Sequence, residues 1–323
     1  MIKSLTARGH IIITCGDQKS KIIYEKEFPN ILHIIIDGYK PTYSKYNKQG
    51  WSIVKQIPKF INRIYKEQKD AERISKEQNI DIIISDNRFG FRSNKTINIF
   101  LTHQLKIKGP KNLMKFVNKI NQRFIKKFDL CWVPDFENSL LSGDLSTCKF
   151  KTTKIGPLSR FEDGYTKKTK FKYKYLAIIS GPEPQRSLFE KEIAHAFKKI
   201  KDPCVIITGE IKKSKDKIKN INIYPHLEIK KFIEIVVQSE LIICRSGYSS
   251  IMDLYFLQKK VMFIPTPGQT EQEYLAKLHK KKSNIYFQKQ GEINLGKSRF
   301  MNFNTEYEKW KNLRKDAFIK IGL

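Results

Sequence analysis

The sequence of 323 residues has no apolar run approaching the roughly 18–20 residues that cross a bilayer, which argues against a membrane-spanning helix. The opening Met1–His10 has no apolar core of signal-peptide length. Cysteine is scarce: Cys15, Cys131, Cys148, Cys204 and Cys244 are scattered, with no CxxC pair. That argues against a disulfide framework or a zinc site, and for free thiols in a reducing cytoplasm. Helix-turn-helix, zinc-finger and RNA-recognition signatures are absent too. Negative charge is in short supply. Against 62 Lys and Arg stand 32 Asp and Glu, a net charge of +30.

A field of that sign attracts polyanions or an anionic membrane surface. The lysines are spread along the whole chain, and Ile and Asn are abundant, as expected of an AT-rich genome. Genomic bias therefore comes first as an explanation, attraction to an anionic membrane surface second and nucleic-acid binding third. The basic runs Lys212–Lys219 and Lys280–Lys282 lack the interleaved aromatics of a single-strand binder, so no nucleic-acid partner is expected.

What is present is a rhythm of short Ile/Val runs alternating with amphipathic, lysine-rich stretches, the βαβ pattern of an α/β protein with parallel sheets. One set of strands is expected at His10–Thr14, Leu32–Ile36, Ile80–Ser85, Ile97–Thr102 and Leu130–Val133, with helices over Val54–Asn79 and Leu113–Phe128. A second set is expected at Tyr175–Ile179, Cys204–Thr208, Ile221–Tyr224, Leu241–Cys244 and Val261–Ile264. Its helices are expected over Gln185–Lys199, Glu228–Gln238, Tyr248–Leu257 and Glu271–Lys280. The division that follows is a first domain over 1–150, a link over 151–174, a second domain over 175–304 and a C-terminal amphipathic helix within 305–323. Met1–Thr6 reads as the last turns of a helix, with Gly9 as its cap. The first strand and Gly-rich turn of a Rossmann-like domain are thus missing from the reading, which makes the first domain incomplete.

Three segments carry chemistry. Ser180-Gly-Pro-Glu-Pro-Gln-Arg186 lies between a strand and a helix. There, Ser180 and Gly181 can turn backbone N–H groups toward a phosphate, the next helix start adds partial positive charge, and Arg186 can pair with the anion. An ordinary βα turn is the alternative. Cys244-Arg-Ser-Gly-Tyr-Ser-Ser-Ile-Met-Asp-Leu254 emerges from a buried strand. Arg245, Ser246, Gly247, Ser249 and Ser250 suit a phosphate, and Asp253, one turn into the helix, suits the two hydroxyls of a ribose; a plain helix N-cap is the alternative. In Thr266-Pro-Gly-Gln-Thr-Glu-Gln-Glu273, Gln269, Glu271 and Gln272 suit sugar hydroxyls, while Thr270 with Glu273 also fits a capping box. Two strand ends opening onto polar Gly-bearing loops are where an open α/β sheet binds its ligand, and a nucleotide-sugar matches these groups. In the first half, Ser85-Asp-Asn-Arg-Phe-Gly90 and Thr102-His-Gln-Leu105 end neighbouring strands, making Asp86 and His103 candidate general bases.

These segments, with Trp132-Val-Pro-Asp-Phe-Glu137 and Ile155-Gly-Pro-Leu-Ser-Arg160, resemble a group of bacterial glycosyltransferases common in Bacteroidetes. The group is related to family 28, which holds the UDP-GlcNAc transferase MurG. The resemblance covers residues 1–290. It implies a GT-B fold, two Rossmann-like domains with parallel sheets facing an interdomain cleft, the donor nucleotide binding to the C-terminal one. It assigns Arg245–Ser250 to the nucleotide and phosphate segment, Asp253 to the ribose, Gln272 to the donor sugar, and Ser180 and Gly181 to the phosphate turn. Glu273 departs from MurG, which has a second Gln there. The N-terminal Gly-His loop of the family has no counterpart in this sequence.

The expected activity is inverting, metal-independent transfer of a sugar from a UDP-sugar to a lipid-linked or envelope glycan acceptor. The base would come from Asp86 or His103, no cofactor would be needed, and the protein would sit peripherally on the inner face of the membrane. A non-catalytic nucleotide-sugar binder and a basic membrane-surface or nucleic-acid binder are the other classes considered.

Overall fold

The computed structural model describes residues 1–38, 57–162, 170–210, 216–257, 259–283, 285–295 and 309–323. They form two compact units. One holds the described residues up to Pro157 together with the C-terminal helix; the other holds those from Leu158 to residue 295. Parts of the sequence expectations lie outside the described residues: 54–56 of the first long helix, 163–169 of the link, 212–215 of a basic run and 305–308 of the tail.

In the first unit, helix α1 (Ile2–Thr6) leads through Gly9, at φ +85°, to strand β1 (Ile13–Gly16). The strand starts three residues later than expected. His10 N donates to the Leu5 carbonyl, closing the turn after α1, and Ile11 is 95% exposed, so residues 10–12 have no ladder to join. Helix α2 (Gln18–Glu27) had no periodic apolar signal and buries no residue; Asp17 starts it by accepting from Ser20 N at 2.8 Å. Strand β2 (Leu32–Ile35) pairs in parallel with β1, and the two make a sheet of their own.

Helix α3 (Ile57–Glu77) precedes a four-stranded parallel sheet of β3 (Ile82–Asp86), β4 (Ile97–Leu101), β5 (Leu130–Val133) and β6 (Thr153–Lys154). Helix α4 (Lys111–Ile125) crosses from β4 to β5. The expected link is divided: its first residues form edge strand β6, and Leu158–Arg160 pack in the second unit. The C-terminal helix, α9 (Lys309–Ile319), belongs to the first unit. Its Arg314 donates to the Pro157 carbonyl at 2.6 Å, and Phe318 packs on Trp132 with ring centroids 5.7 Å apart.

The second unit is a seven-stranded sheet in the order β13-β12-β11-β7-β8-β10-β9. Its strands are β7 (Tyr173–Ile178), β8 (Cys204–Ile207), β9 (Asp216–Ile218), β10 (Ile221–Tyr224), β11 (Ser239–Cys244), β12 (Lys260–Phe263) and β13 (Tyr286–Phe287). All pairs are parallel except β9 with β10. Helices α5 (Gln185–Lys198), α6 (Ile229–Val237), α7 (Tyr248–Leu257) and α8 (Thr270–Ser283) make the crossovers. The central strands read as unbroken apolar runs because both faces are covered: Val205, Ile206, Ile242 and Ile243 are fully buried. The short strands β9 and β13 sit at the edges, where three and two residues give little pattern to read.

The motif Ser85–Gly90 proves to be as much structural as chemical. Glu67 of α3 is fully buried and accepts from Arg88 Nε at 2.9 Å and from Gly90 N at 3.2 Å. A Cβ on Gly90 would strike the Ile64 carbonyl oxygen and lie 2.7 Å from Glu67 Cβ. Since helix backbone cannot yield as a flexible side chain can, Gly90→Ala is expected to destabilise the protein by roughly 1–3 kcal/mol or more. Urea unfolding checks this; a midpoint equal to the parent's would show that the loop is not held against α3.

Candidate functional site

The loops after β7, β11 and β12 come together at the C-terminal end of the second sheet, because β7 and β12 flank β11. Arg245, the first residue beyond β11, sets their spacing. Its side chain is 1% exposed. Nη1 donates to the carbonyls of Ile264 at 3.0 Å and Pro265 at 3.3 Å, and Nη2 to that of Gln185 at 2.9 Å. The guanidinium also lies 4.1 Å from the Phe189 ring centroid. Arg245 therefore does not reach out as a direct phosphate ligand. It is spent on the backbone of two neighbouring loops. Burial lowers its pKa to about 10, partly countered by Glu192, so it stays cationic at neutral pH. No carboxylate among the described residues forms an ion pair with it, so it contributes a buried positive charge beneath the site.

Two further residues expected to contact phosphate are also engaged. Arg186 bonds Glu183 and, at 2.6 Å, Glu210; burial lowers its pKa, but the bonds to Glu210 and Glu183 outweigh that and hold it above the usual value. Ser246 Oγ donates to the Gln272 carbonyl at 2.7 Å. The groups left facing outward are smaller. Ser180 and Gly181 are exposed, and Gly181, at φ +108°, holds a conformation that side chains rarely adopt. A Cβ on Gly247 would meet nothing within 4 Å, so open space fronts the start of α7. Ser249 is exposed and Ser250 half-buried in the first turn of that helix, whose N-terminal N–H groups favour an anion.

The third loop is tightly built. Gln272 Oε1 accepts from Thr266 N at 2.8 Å, Gln272 Nε2 donates to Gln269 Oε1 at 2.5 Å, and Glu273 accepts from Gly268 N at 3.2 Å. Gln269 and Gln272 thus brace the loop from inside, and Glu271 lies half-buried beside them in the first turn of α8. Thr266, which no pattern in the sequence singles out, is 1% exposed, and its hydroxyl has no hydrogen-bond partner.

Asp253 closes the other side. Its Oδ1 accepts from Ser159 Oγ at 2.8 Å and Arg160 N at 3.3 Å, and its Oδ2 lies 3.0 Å from Arg160 Nε. Burial raises its pKa above the ordinary 3.8, with Arg160 and Ser159 pulling it down. Behind the pair is a cavity of about 60 Å³ walled mainly by apolar side chains, among them Phe161, Ile242 and Leu254. Ser159 and Arg160 were visible only as part of a motif; their partner, Asp253, lies 93–94 residues away.

In the first unit, Asp86 and His103 come together at the ends of β3 and β4, whose register pairs Asp86 with Leu101. Asp86 is at the surface, yet the protein crowded around its carboxyl raises its pKa, and the neighbouring His103 lowers it. Among the described residues no group of three or more His, Cys, Asp or Glu could hold a metal ion.

Residues 180–297 match the glycosyltransferase family 28 C-terminal domain. That stretch contains all three loops of the second unit. The chain thus has the GT-B fold, and its second unit is similar to the C-terminal domain of family 28 glycosyltransferases. Among solved structures, the glycotransferase of kitacinnamycin superposes at TM-score 0.59 with 12% identity, over 98% of this chain and 89% of that one. The spinosyn rhamnosyltransferase SpnG, complexed with thymidine diphosphate, gives 0.55 with 10% identity over 88% and 80%. MurG of Acinetobacter baumannii gives 0.47 with 13% identity over 98% and 85%, too loose a superposition to carry weight. No curated protein matches.

The burial of Arg245 makes a prediction separate from any ligand. Arg245→Ala would leave the buried carbonyls of Ile264 and Pro265 and the half-buried one of Gln185 without this donor, and is expected to cost about 2–4 kcal/mol of folding stability. Thermal unfolding without any ligand checks this. A variant as stable as the parent would return Arg245 to the role of a ligand-facing cation.

Proposed function

We propose that the protein transfers a sugar from a UDP-sugar of the UDP-GlcNAc type to a lipid-linked or envelope glycan acceptor, with inversion and without a metal ion. What supports this reading is the meeting, at one end of one sheet, of open space at Gly181 and Gly247, the N-terminus of α7, the buried cation of Arg245 and the carboxylate of Asp253. The diphosphate would lie over Ser180, Gly181 and the start of α7, its charge met by backbone N–H groups, the helix dipole and the buried Arg245. The ribose hydroxyls would replace Ser159 and Arg160 on Asp253. Asp86 or His103 would take the proton from the acceptor hydroxyl as that oxygen attacks the anomeric carbon and the nucleoside diphosphate departs.

Uridine diphosphate is expected to raise the melting temperature by mass action. Thymidine diphosphate, which lacks the 2′-hydroxyl, should raise it less. Asp253→Ala should abolish most of the difference between the two nucleotides, each lost hydrogen bond to the carboxylate being worth about 1.5–3 kcal/mol. Because the Asp253 carboxyl titrates above 3.8, the ionised, hydroxyl-accepting form is lost on acidification before an ordinary aspartate would protonate. Uridine diphosphate affinity should fall correspondingly early. Equal shifts with both nucleotides, in parent and variant alike, would remove Asp253 from the ribose site.

The charge distribution supports attachment to an anionic membrane. Between His103 and Phe128 the sequence has eight Lys and Arg and no acidic residue. On α4, Lys115, Lys119 and Arg123 are exposed at four-residue spacing, and Phe116 beside them is 59% exposed. Among the described residues no helix is long and apolar enough to cross a membrane. Phosphatidylglycerol vesicles should capture the protein at low salt and release it at high salt. The triple variant Lys115→Glu/Lys119→Glu/Arg123→Glu should bind far more weakly, each basic residue contributing about 1 kcal/mol. Undiminished binding of the triple variant would place the contact elsewhere.

A further inference from the structure

One polar group at the strand ends has no work to do in the free protein. Thr266 follows Pro265 in the loop after β12, and both ends of its backbone are satisfied: its N–H donates to Gln272 Oε1 at 2.8 Å and its carbonyl accepts from Gln269 N at 3.1 Å. Its hydroxyl, buried with the rest of the residue, bonds to nothing. A buried hydroxyl without a partner is a standing expense that folding alone gives no reason to keep, since valine would fill the same volume without it. A Cβ on Gly181 would lie 3.8 Å from Thr266 Oγ1, its nearest neighbour, so the hydroxyl borders the space that glycine leaves empty at the phosphate turn. A second orphan lies on the same frame. Gln185 Oε1 is buried without a partner at the start of α5, and the carbonyl of Gln185 is held by the same Arg245 that holds Pro265. An amide oxygen only accepts hydrogen bonds, whereas a threonine hydroxyl donates and accepts. A phosphate oxygen could satisfy the hydroxyl but not the amide oxygen. A sugar hydroxyl can satisfy either.

We propose that Thr266 is a specificity-determining residue of the donor site, its hydroxyl held in reserve for a hydroxyl of the sugar to be transferred. This rests on the reading of the second unit as a nucleotide-sugar site and deepens it. Asp253 reads the ribose, and Thr266 reads the sugar beyond the diphosphate.

The orphan state of the hydroxyl makes the test clean, because removing it breaks no bond in the free protein. Thr266→Val should melt at or slightly above the parent temperature. It should bind uridine diphosphate as the parent does. Its affinity for the UDP-sugar that the parent prefers, among UDP-GlcNAc, UDP-glucose and UDP-galactose, should fall by about three- to tenfold, the loss of one hydrogen bond. Thr266→Ser, which keeps the hydroxyl, should retain most of that affinity. Calorimetric titration of the three proteins with uridine diphosphate and each UDP-sugar decides. A Thr266→Val protein that loses uridine diphosphate and UDP-sugar affinity equally would make Thr266 a phosphate contact and overturn the proposal. So would unchanged UDP-sugar affinity, or a parent that binds no UDP-sugar better than uridine diphosphate. If the parent binds no uridine diphosphate at all, the nucleotide reading itself fails, and this inference fails with it.

Discussion

A single guanidinium fixes the geometry on which the candidate site depends. Arg245 donates to carbonyls from the loop after β12 and from the start of α5, while its own backbone continues β11 toward α7. Three separate crossovers are thereby held at one spacing by one side chain. The arrangement also has an electrostatic consequence. A cation buried on carbonyl dipoles, with no carboxylate ion-paired to it among the described residues and only Glu192 acting on it from farther off, keeps most of its field for whatever lies above it, and in a water-poor interior that field is weakly screened. In the proposed site an anion would then meet the N–H groups and open space around Gly181 and Gly247, with the charge beneath it rather than beside it.

The other charged side chains around the site are handled in the opposite way. Asp253 is satisfied in the free protein by Ser159 and Arg160, and Arg186 by Glu183 and Glu210. A ligand at Asp253 must therefore exchange partners rather than fill a vacancy. Exchange costs less than exposing an unpaired buried charge, because the carboxylate keeps hydrogen bonds in both states and Arg160, at 43% exposure, can return to water. Thr266 differs in having no partner to give up, so a ligand hydroxyl there is a net gain of one hydrogen bond.

Much of the second unit was legible in the sequence, because its strands are buried on both faces and therefore read as bare Ile/Val runs between helical stretches. Ile221–Tyr224 and Tyr248–Leu257 are found with the expected bounds, and the other main elements within about two or three residues. What was not legible is short, non-periodic or set by distant partners. Helix α2 depends on the Asp17 cap and buries nothing, and β9 and β13 are edges of three and two residues. The C-terminal helix joins the first unit through Trp132 and Pro157, partners more than 150 residues away that no local pattern announces. In the site, residue types were legible but their directions were not. Arg245 and Arg186 look like phosphate ligands because arginines so often are; that both are already committed follows only from carbonyls and carboxylates brought near by the fold. Thr266 carries no sequence signal, because an unpartnered hydroxyl can be recognised only once its surroundings are known.

Everything proposed for the second unit depends on a nucleoside diphosphate binding at its C-terminal strand ends with the ribose on Asp253. A crystal structure with uridine diphosphate tests it most directly. The prediction is a diphosphate over Ser180, Gly181 and the first turn of α7, both ribose hydroxyls on the Asp253 carboxylate, the Arg160 guanidinium turned away from it, and Arg245 unmoved on its three carbonyls. A nucleotide bound elsewhere, or one bound there while Asp253 keeps Ser159 and Arg160 as its partners, would contradict it.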